Sequence, residues 1–337
     1  MTLGAGVIGL GFMGRRYARV LSRMEGVRLA AVCDIDPRRL AEVAADFDVR
    51  GFADYEELVH LPGVDWIAVC TPEDRHIEPT LAALDAGRPV LIEKPVAHTL
   101  EGARRIAAAA RRTGRLVMVG HLLRFEPRWV AASERIAAGA IGDIVSIATR
   151  RVGNVMDQEV LRGRTSAALY YGVHDLDVLR WFAGSEVATL YAARRYGVLR
   201  RAGYDVADLY CAVLTFANGV LASAELGWHA PAGVRARTSG LMVVGTRGVL
   251  RIDQGQQGLD VWPDDGGPVD TTFWPEAYGR TQGALALELR HFVDCVRRER
   301  TPALSLDDAI EALRLALAVE ESAARGSTID LLEYARA

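Results

Sequence analysis

Two rhythms along 337 residues predict the fold class: α/β, with a doubly wound parallel sheet first and an α+β domain carrying an antiparallel sheet second. Up to about residue 122, short apolar runs alternate with helix-like stretches, as in a parallel sheet covered on both faces. From about residue 140, strand-like runs follow one another with few helices between them, as hairpins do. The length suits two domains of roughly 150 residues each. The expected division is therefore 1–122 and 123–337.

In the first part the runs are Ala5–Leu10, Arg28–Cys33, Trp66–Cys70, Pro89–Ile92 and Leu116–Val119. Each is nearly continuous apolar sequence, which a strand buried on both faces requires. Helices are expected over Met13–Met24, Pro37–Phe47, Arg75–Ala86 and Leu100–Arg112. Pro37 follows Asp36 at a first helical turn, and Gly87 and Gly114 fall just past helix ends. A helix over Pro127–Ala138 leads into the second part. Strands are expected there at Ile144–Thr149, Leu209–Phe216, Val220–Leu226, Leu241–Val244 and Val249–Ile252. Asn218-Gly219 and Thr246-Arg247-Gly248 supply the turns between them. Helices over Ala168–Phe182, Ala284–Arg298 and Leu306–Arg325 complete the chain.

Composition narrows the function. Forty basic residues against 43 acidic ones leave a net charge of −3, so no basic surplus drives binding to nucleic acid or an anionic membrane. No apolar run reaches the roughly 18 residues a membrane span needs. The opening Leu3–Met13 lacks a basic n-region and reads as a strand and turn, not a signal peptide. Cys33, Cys70, Cys211 and Cys295 are widely spaced, which suits buried thiols in a reducing cytoplasm and neither a disulfide framework nor a metal site. One count stands out. Of the 40 basic residues, 39 are arginine and one, Lys94, is lysine. An ammonium can lose its proton within reach of neutral pH and a guanidinium cannot, so Lys94 is the first catalytic candidate.

Gly9-x-Gly11-x-x-Gly14 falls where the first strand meets the first helix, with Phe12 and Met13 on the same turn. Gly9 permits the tight turn, Gly11 lets a pyrophosphate approach the backbone, and Gly14 allows close helix–strand packing. The helix N-terminus adds free N–H groups and a positive dipole end. Asp34, followed by Ile35, ends the second run 20 residues after Gly14, where it can accept ribose hydroxyls and repel a 2′-phosphate. That favours NAD over NADP, although Arg38 and Arg39 one turn on could pair with a 2′-phosphate. Cys70-Thr71-Pro72 and Glu93-Lys94-Pro95 end strands at the edge where open α/β sheets bind ligands. His76 opens the next helix, either beside the cofactor or as a capping histidine.

The strings CTPEDRH, PVLIEKP and VGHLLRFEP, with GVHDLDVLRWFAG and ELRHFVDCVRRERTPALSLDDAIEALRLALAVEESAARG, together resemble the Gfo/Idh/MocA oxidoreductases. That family is named for glucose–fructose oxidoreductase and inositol dehydrogenase. The resemblance covers nearly the whole chain and is weakest between about residues 185 and 280. It implies a Rossmann domain, then a domain with a large open antiparallel sheet used for dimerisation or tetramerisation. It also implies NAD(P)-dependent hydride transfer between nicotinamide and a secondary hydroxyl or ketone of a sugar, inositol or related polyol. The lysine of the EKP motif, here Lys94, would lie beside the nicotinamide and the reacting hydroxyl. The family histidine matches His174, with Asp177 one turn on. Members similar to inositol dehydrogenase carry an aspartate four residues before that histidine. Here the position is Tyr170, followed by Tyr171, and other members place a tyrosine there.

Hydride loss from an alcohol requires loss of its hydroxyl proton, hence a base with a pKa near working pH. His174 is the preferred base and Lys94 the polarising donor on the same oxygen, with the reverse assignment and a role for Tyr170 left open. A dipole at a helix start would favour neutral His174. Asp177 either orients His174 or is a surface charge. Glu93 is expected to bind cofactor or backbone, His121 to line the cofactor site, and Arg124 to meet substrate or bridge the domains. His60, His98, His229 and His291 have no partner at ligand spacing, and Arg162 and Arg164 read either as a solvated loop or as contacts for an acidic substrate group. Within this fold, enzymes that recycle a tightly held nicotinamide and non-catalytic NAD(P)-binding regulators are the alternatives.

Overall fold

The computed structural model describes residues 2–154, 161–230, 239–255, 259 and 270–334. They divide into two compact units, Met1–Phe125 with Thr272–Leu313, and Glu126–Thr271 with Arg314–Ala337. This differs from one boundary after residue 122, because Thr272–Leu313 returns to the first unit. The reason is apolar: Ala284, Leu285, Leu289, Phe292 and Val293 are buried in the same cluster as Tyr17, Leu21, Trp66 and Met118. The Trp66 and Phe292 rings lie 5.0 Å apart.

The first unit is built on six parallel strands: β1 (Leu3–Ile8), β2 (Val27–Cys33), β3 (Arg50–Phe52), β4 (Trp66–Val69), β5 (Val90–Glu93) and β6 (Val117–Gly120). Their order is β3-β2-β1-β4-β5-β6, the doubly wound arrangement whose switch point falls between β1 and β4. Helices α1 (Phe12–Ser22), α2 (Pro37–Phe47), α3 (Tyr55–Val59), α4 (Ile77–Asp85) and α5 (Leu100–Thr113) link the strands. Asp36 caps α2 by accepting from the Arg38 and Arg39 N–H groups. Gly114 closes α5 in the left-handed conformation at φ 64°. The expected helix and strand positions agree within a few residues. The short β3 and α3 were too brief for periodicity to register.

In the second unit, α6 (Pro127–Ala137) precedes β7 (Ile144–Asn154), followed by α7 (Val173–Ala183), β8 (Val187–Arg195) and α8 (Val198–Arg201). Then come β9 (Leu209–Phe216), β10 (Leu221–Ala230), β11 (Gly240–Gly245) and β12 (Val249–Asp253). The chain returns to the first unit through β13 (Glu276–Ala277), β14 (Arg280–Thr281) and α9 (Gly283–Arg298). Last are α10 (Leu306–Arg325), β15 (Ile329–Asp330) and α11 (Leu331–Tyr334). The seven-stranded sheet runs β12-β11-β7-β10-β9-β8-β15. Its pairs are antiparallel except β7 with β10, so the expected antiparallel sheet is a mixed one with a single parallel ladder. Asn218-Gly219 makes the expected β9–β10 turn, with Gly219 at φ 87°. Among the described residues no helix is long and apolar enough to cross a membrane.

Candidate active site

The first unit presents a dinucleotide cradle at the carboxyl ends of its strands. Gly9 takes φ 88°, and a Cβ there would lie 2.6 Å from the Thr71 nitrogen, so any side chain would push β1 off the β4 loop. A Cβ on Gly14 would sit 1.8 Å from the Gly9 carbonyl oxygen. Gly11 is the opposite case: nothing lies within 4 Å of its missing Cβ, and it caps α1 without a side-chain hydrogen bond. The first turn of α1 therefore presents uncapped N–H groups over open space, the arrangement an anionic pyrophosphate needs.

Asp34 is buried where β2 ends. Its Oδ2 accepts the Leu10 N–H at 2.6 Å and its Oδ1 accepts the Asp36 N–H at 2.8 Å, tying the glycine turn to the β2 loop. The cation that reaches it is Arg39, whose Nη1 lies 3.2 Å from Oδ2, while Arg38 is exposed. Ile35 is exposed beside it. Phe12, also exposed, meets Trp274 edge-to-face at 5.8 Å, with the Arg16 guanidinium 3.6 Å from the Phe12 ring centre. Trp274 was not singled out by sequence; its segment gave no motif, and only the return of Thr272–Leu313 brings it to the glycine turn.

His76 is buried and clamps two loops. Its Nδ1 lies 2.8 Å from the Pro95 carbonyl oxygen and its Nε2 2.8 Å from that of Thr71. Burial lowers its pKa below the ordinary histidine value. The ring makes no side-chain cap for the helix; it joins the β4 and β5 loops. Cys70, just before Thr71, is buried, and burial drives its thiol well above the ordinary range. Pro72 is exposed, and Met13 packs against the core cluster.

Lys94 follows β5, half-buried, in a cis peptide with Pro95. Its backbone N–H donates to Glu93 Oε2 at 3.2 Å. Glu93 is fully buried, and burial raises its pKa above the ordinary carboxyl range. Behind it lie Tyr17 of α1 and Glu288 of α9. The Tyr17 hydroxyl is 3.0 Å from Glu288 Oε1, and the same hydroxyl also stabilises the ionised form of Glu93. His121 and Arg124 are buried at the end of β6 and on the following 3-10 turn (Leu122–Phe125).

In the second unit, Tyr170 and His174 share one helical segment. A π-helical turn, Ala168–Gly172, runs directly into α7, so His174 sits in a second turn and not at a free helix start. The free helix start on which the expected dipole effect rests lies a turn before His174. The Tyr170, Tyr171 and Trp228 rings form a triangle with centres 5.2, 5.9 and 5.5 Å apart. Asp175, next to His174, is buried; it accepts from Thr149 Oγ1 at 2.6 Å and pairs with Arg151. Arg151 in turn donates to Gln254 Oε1 at 3.1 Å. That network anchors the His174 segment to β7. Asp177 is buried, which removes the reading of it as a surface charge. Arg162 and Arg164 are exposed.

Comparison with known proteins agrees with this geometry. Residues 3–121 match a profile described as an oxidoreductase family with an NAD-binding Rossmann fold, and residues 133–331 match the C-terminal alpha/beta domain of the same oxidoreductase family. Inositol 2-dehydrogenase 2 of Saccharopolyspora erythraea is 33% identical over 97% of this chain and 95% of its own length. The scyllo-inositol 2-dehydrogenase (NAD(+)) of Bacillus subtilis is 27% identical over 96% of this chain and 95% of its own. Among solved structures, GenD2 from gentamicin A biosynthesis in complex with NAD superposes with a TM-score of 0.84 at 27% identity, covering 98% of this chain and 96% of that one.

Proposed function

The chain belongs to the Gfo/Idh/MocA oxidoreductase family, and from that membership we infer that it oxidises a secondary hydroxyl of an inositol or closely related polyol with NAD as acceptor. The observation that carries the reading is the pairing of an open, uncapped glycine turn with Asp34 at the end of β2, in a chain similar over nearly its full length to inositol dehydrogenases.

NAD, when bound, supplies the hydride acceptor. The N–H groups of the first turn of α1 hold its pyrophosphate, and Gly11 leaves room for the approach. Asp34 receives ribose hydroxyls, and its carboxylate beside Arg39 disfavours a 2′-phosphate. His174 takes the hydroxyl proton, since a neutral imidazole is a base in the right range. Lys94 donates a hydrogen bond to the same oxygen and steadies the charge that develops on it. Tyr170, in place of an aspartate, offers a hydroxyl one turn before His174 and is a further substrate contact, as is Arg124. The rings of Tyr170 and Tyr171 suit the C–H face of a cyclic polyol.

We assign the outer face of the seven-stranded sheet to contact with a second copy of the chain. Tyr191, Val213, Leu221, Met242 and Val249 are exposed on that one face, drawn from five strands, with Tyr191 directly opposite Val213, and exposed apolar side chains gathered on one sheet face suit contact with another copy.

A panel of inositols, aldoses and sugar acids with NAD tests the activity by NADH absorbance. Accumulation of NADH with an inositol is the expected result. Product without free NADH would shift the reading to a recycling enzyme, and clear NAD binding with no product from any polyol would overturn it.

A further inference from the structure

Glu288 is a carboxyl on the wrong side of a helix. Leu285, Leu289 and Phe292 define the buried stripe of α9, and Glu288 lies within it, itself buried. Its Oε1 meets the Tyr17 hydroxyl at 3.0 Å; its Oε2 has no hydrogen-bond partner among the described residues. Glu93 turns its Oε1 toward the same Gly120 position as that hydroxyl and interacts with it. A Cβ on Gly120 would stand 3.0 Å from that hydroxyl, 3.3 Å from Glu288 Oε1 and 3.5 Å from Glu93 Oε1, so three oxygens crowd the one position β6 leaves bare.

Proton counting constrains this cluster. A tyrosine hydroxyl has one proton to give, and carboxylates only accept. Two carboxyl groups on one hydroxyl therefore require one of them to be protonated and to donate to the tyrosine oxygen. Glu93 has the neighbours of an anion: the Lys94 N–H on Oε2 and the Lys94 charge nearby. Glu288 has an unpartnered oxygen in an apolar stripe, which costs far less as a neutral acid than as a carboxylate.

We propose that Glu288 is a positioning residue for Lys94: as a neutral acid it donates to Tyr17, Tyr17 donates to Glu93, and Glu93 holds the only negative charge of the cluster against Lys94. Burial holds the pKa of Glu288 and of Tyr17 well above the ordinary range, in keeping with both retaining their protons, whereas the charge and backbone N–H of Lys94 pull Glu93 down against its own burial. The other titratable group facing it is Cys70 at the end of β4, whose thiol burial keeps protonated. Lys94 is the cation whose charge favours the ionised form of Glu93.

Only the kinetic arm of the test rests on the dehydrogenase reading. The other arm uses the protein without cofactor or substrate: lysine labelled with 13C at Cε gives one signal, from Lys94, whose pH titration reports the charge beside it. E288Q keeps a donor toward Tyr17, and its Lys94 midpoint is expected to match wild type. Y17F and E288L break the chain, and their midpoints are expected to fall by at least about half a unit. In turnover, E288Q is expected to rescue kcat to within about threefold, whereas Y17F and E288L lose about tenfold or more with KM little changed. Should E288L not fold, Y17F decides. A Lys94 midpoint unmoved in Y17F, or moved as far by E288Q as by E288L, overturns the proposal. An unmoved kcat alongside moved midpoints overturns its catalytic part, and absence of any dehydrogenase activity leaves the NMR result standing.

Discussion

At the residue scale, a difference of one proton separates Lys94 from every other cation in the chain. K94R keeps the charge and removes the titratable amine, so turnover is expected to fall by about two orders of magnitude or more while NAD binding, followed by calorimetry, is retained. Turnover within a few-fold of wild type would remove Lys94 from the chemistry. Glu288 carries a second, opposite expectation. Its folded pKa lies above the ordinary carboxyl value, so the stability it gives is full below about pH 4.3 and is lost as pH rises through the folded value. E288Q removes that loss, and its melting temperature relative to wild type is expected to climb between about pH 4 and 8; a constant difference would contradict it. Lys94 and Asp34 were legible in sequence because composition and spacing mark them. Glu288 left a fainter mark, a charge at an apolar-stripe position of a helix, which gains meaning only when the partner of that stripe is known. His76 could not be resolved, since a clamp between two carbonyls depends on loops that no local pattern encodes.

At the element scale, the glycine turn is legible because its constraints are local. G9A would place a Cβ 2.6 Å from the Thr71 nitrogen in a left-handed backbone, and both faults point to lost NAD binding and about 1–3 kcal/mol or more of lost stability, read by denaturant titration. The missed elements are short ones, β3, α3, α8, β13, β14, β15 and α11, together with β8, whose alternation is weak. The π-helical turn before His174 was also hidden, since it continues the same helical pattern with one extra residue per turn. Helix α9 was found at its position, but that it packs into the compact first unit was not legible, because amphipathicity says that a face is buried and not against what. F292A tests the assignment: it is expected to cost about 3–5 kcal/mol and to weaken NAD binding, although residue 292 lies far beyond the nucleotide fold in sequence. Unchanged NAD affinity in F292A would contradict the tie between α9 and the cradle.

At the scale of the whole molecule, the open sheet and the divided first unit carry the consequences. V213E puts a charge at the middle of the exposed apolar face, where Val213 is 56% exposed, and is expected to lower the mass seen by light scattering while leaving the fold intact by circular dichroism. An unchanged mass would exclude that face as the contact. The divided unit bears on how the protein is made. Residues 126–271 separate Tyr17 and Glu93 from Glu288, a stretch that takes a ribosome roughly 10–30 s to add. Until then the nascent nucleotide fold has an apolar face awaiting Phe292 and no third member for its acid cluster. Chaperone occupancy during synthesis should therefore peak while the middle of the chain is emerging and fall only after α9 clears the exit tunnel.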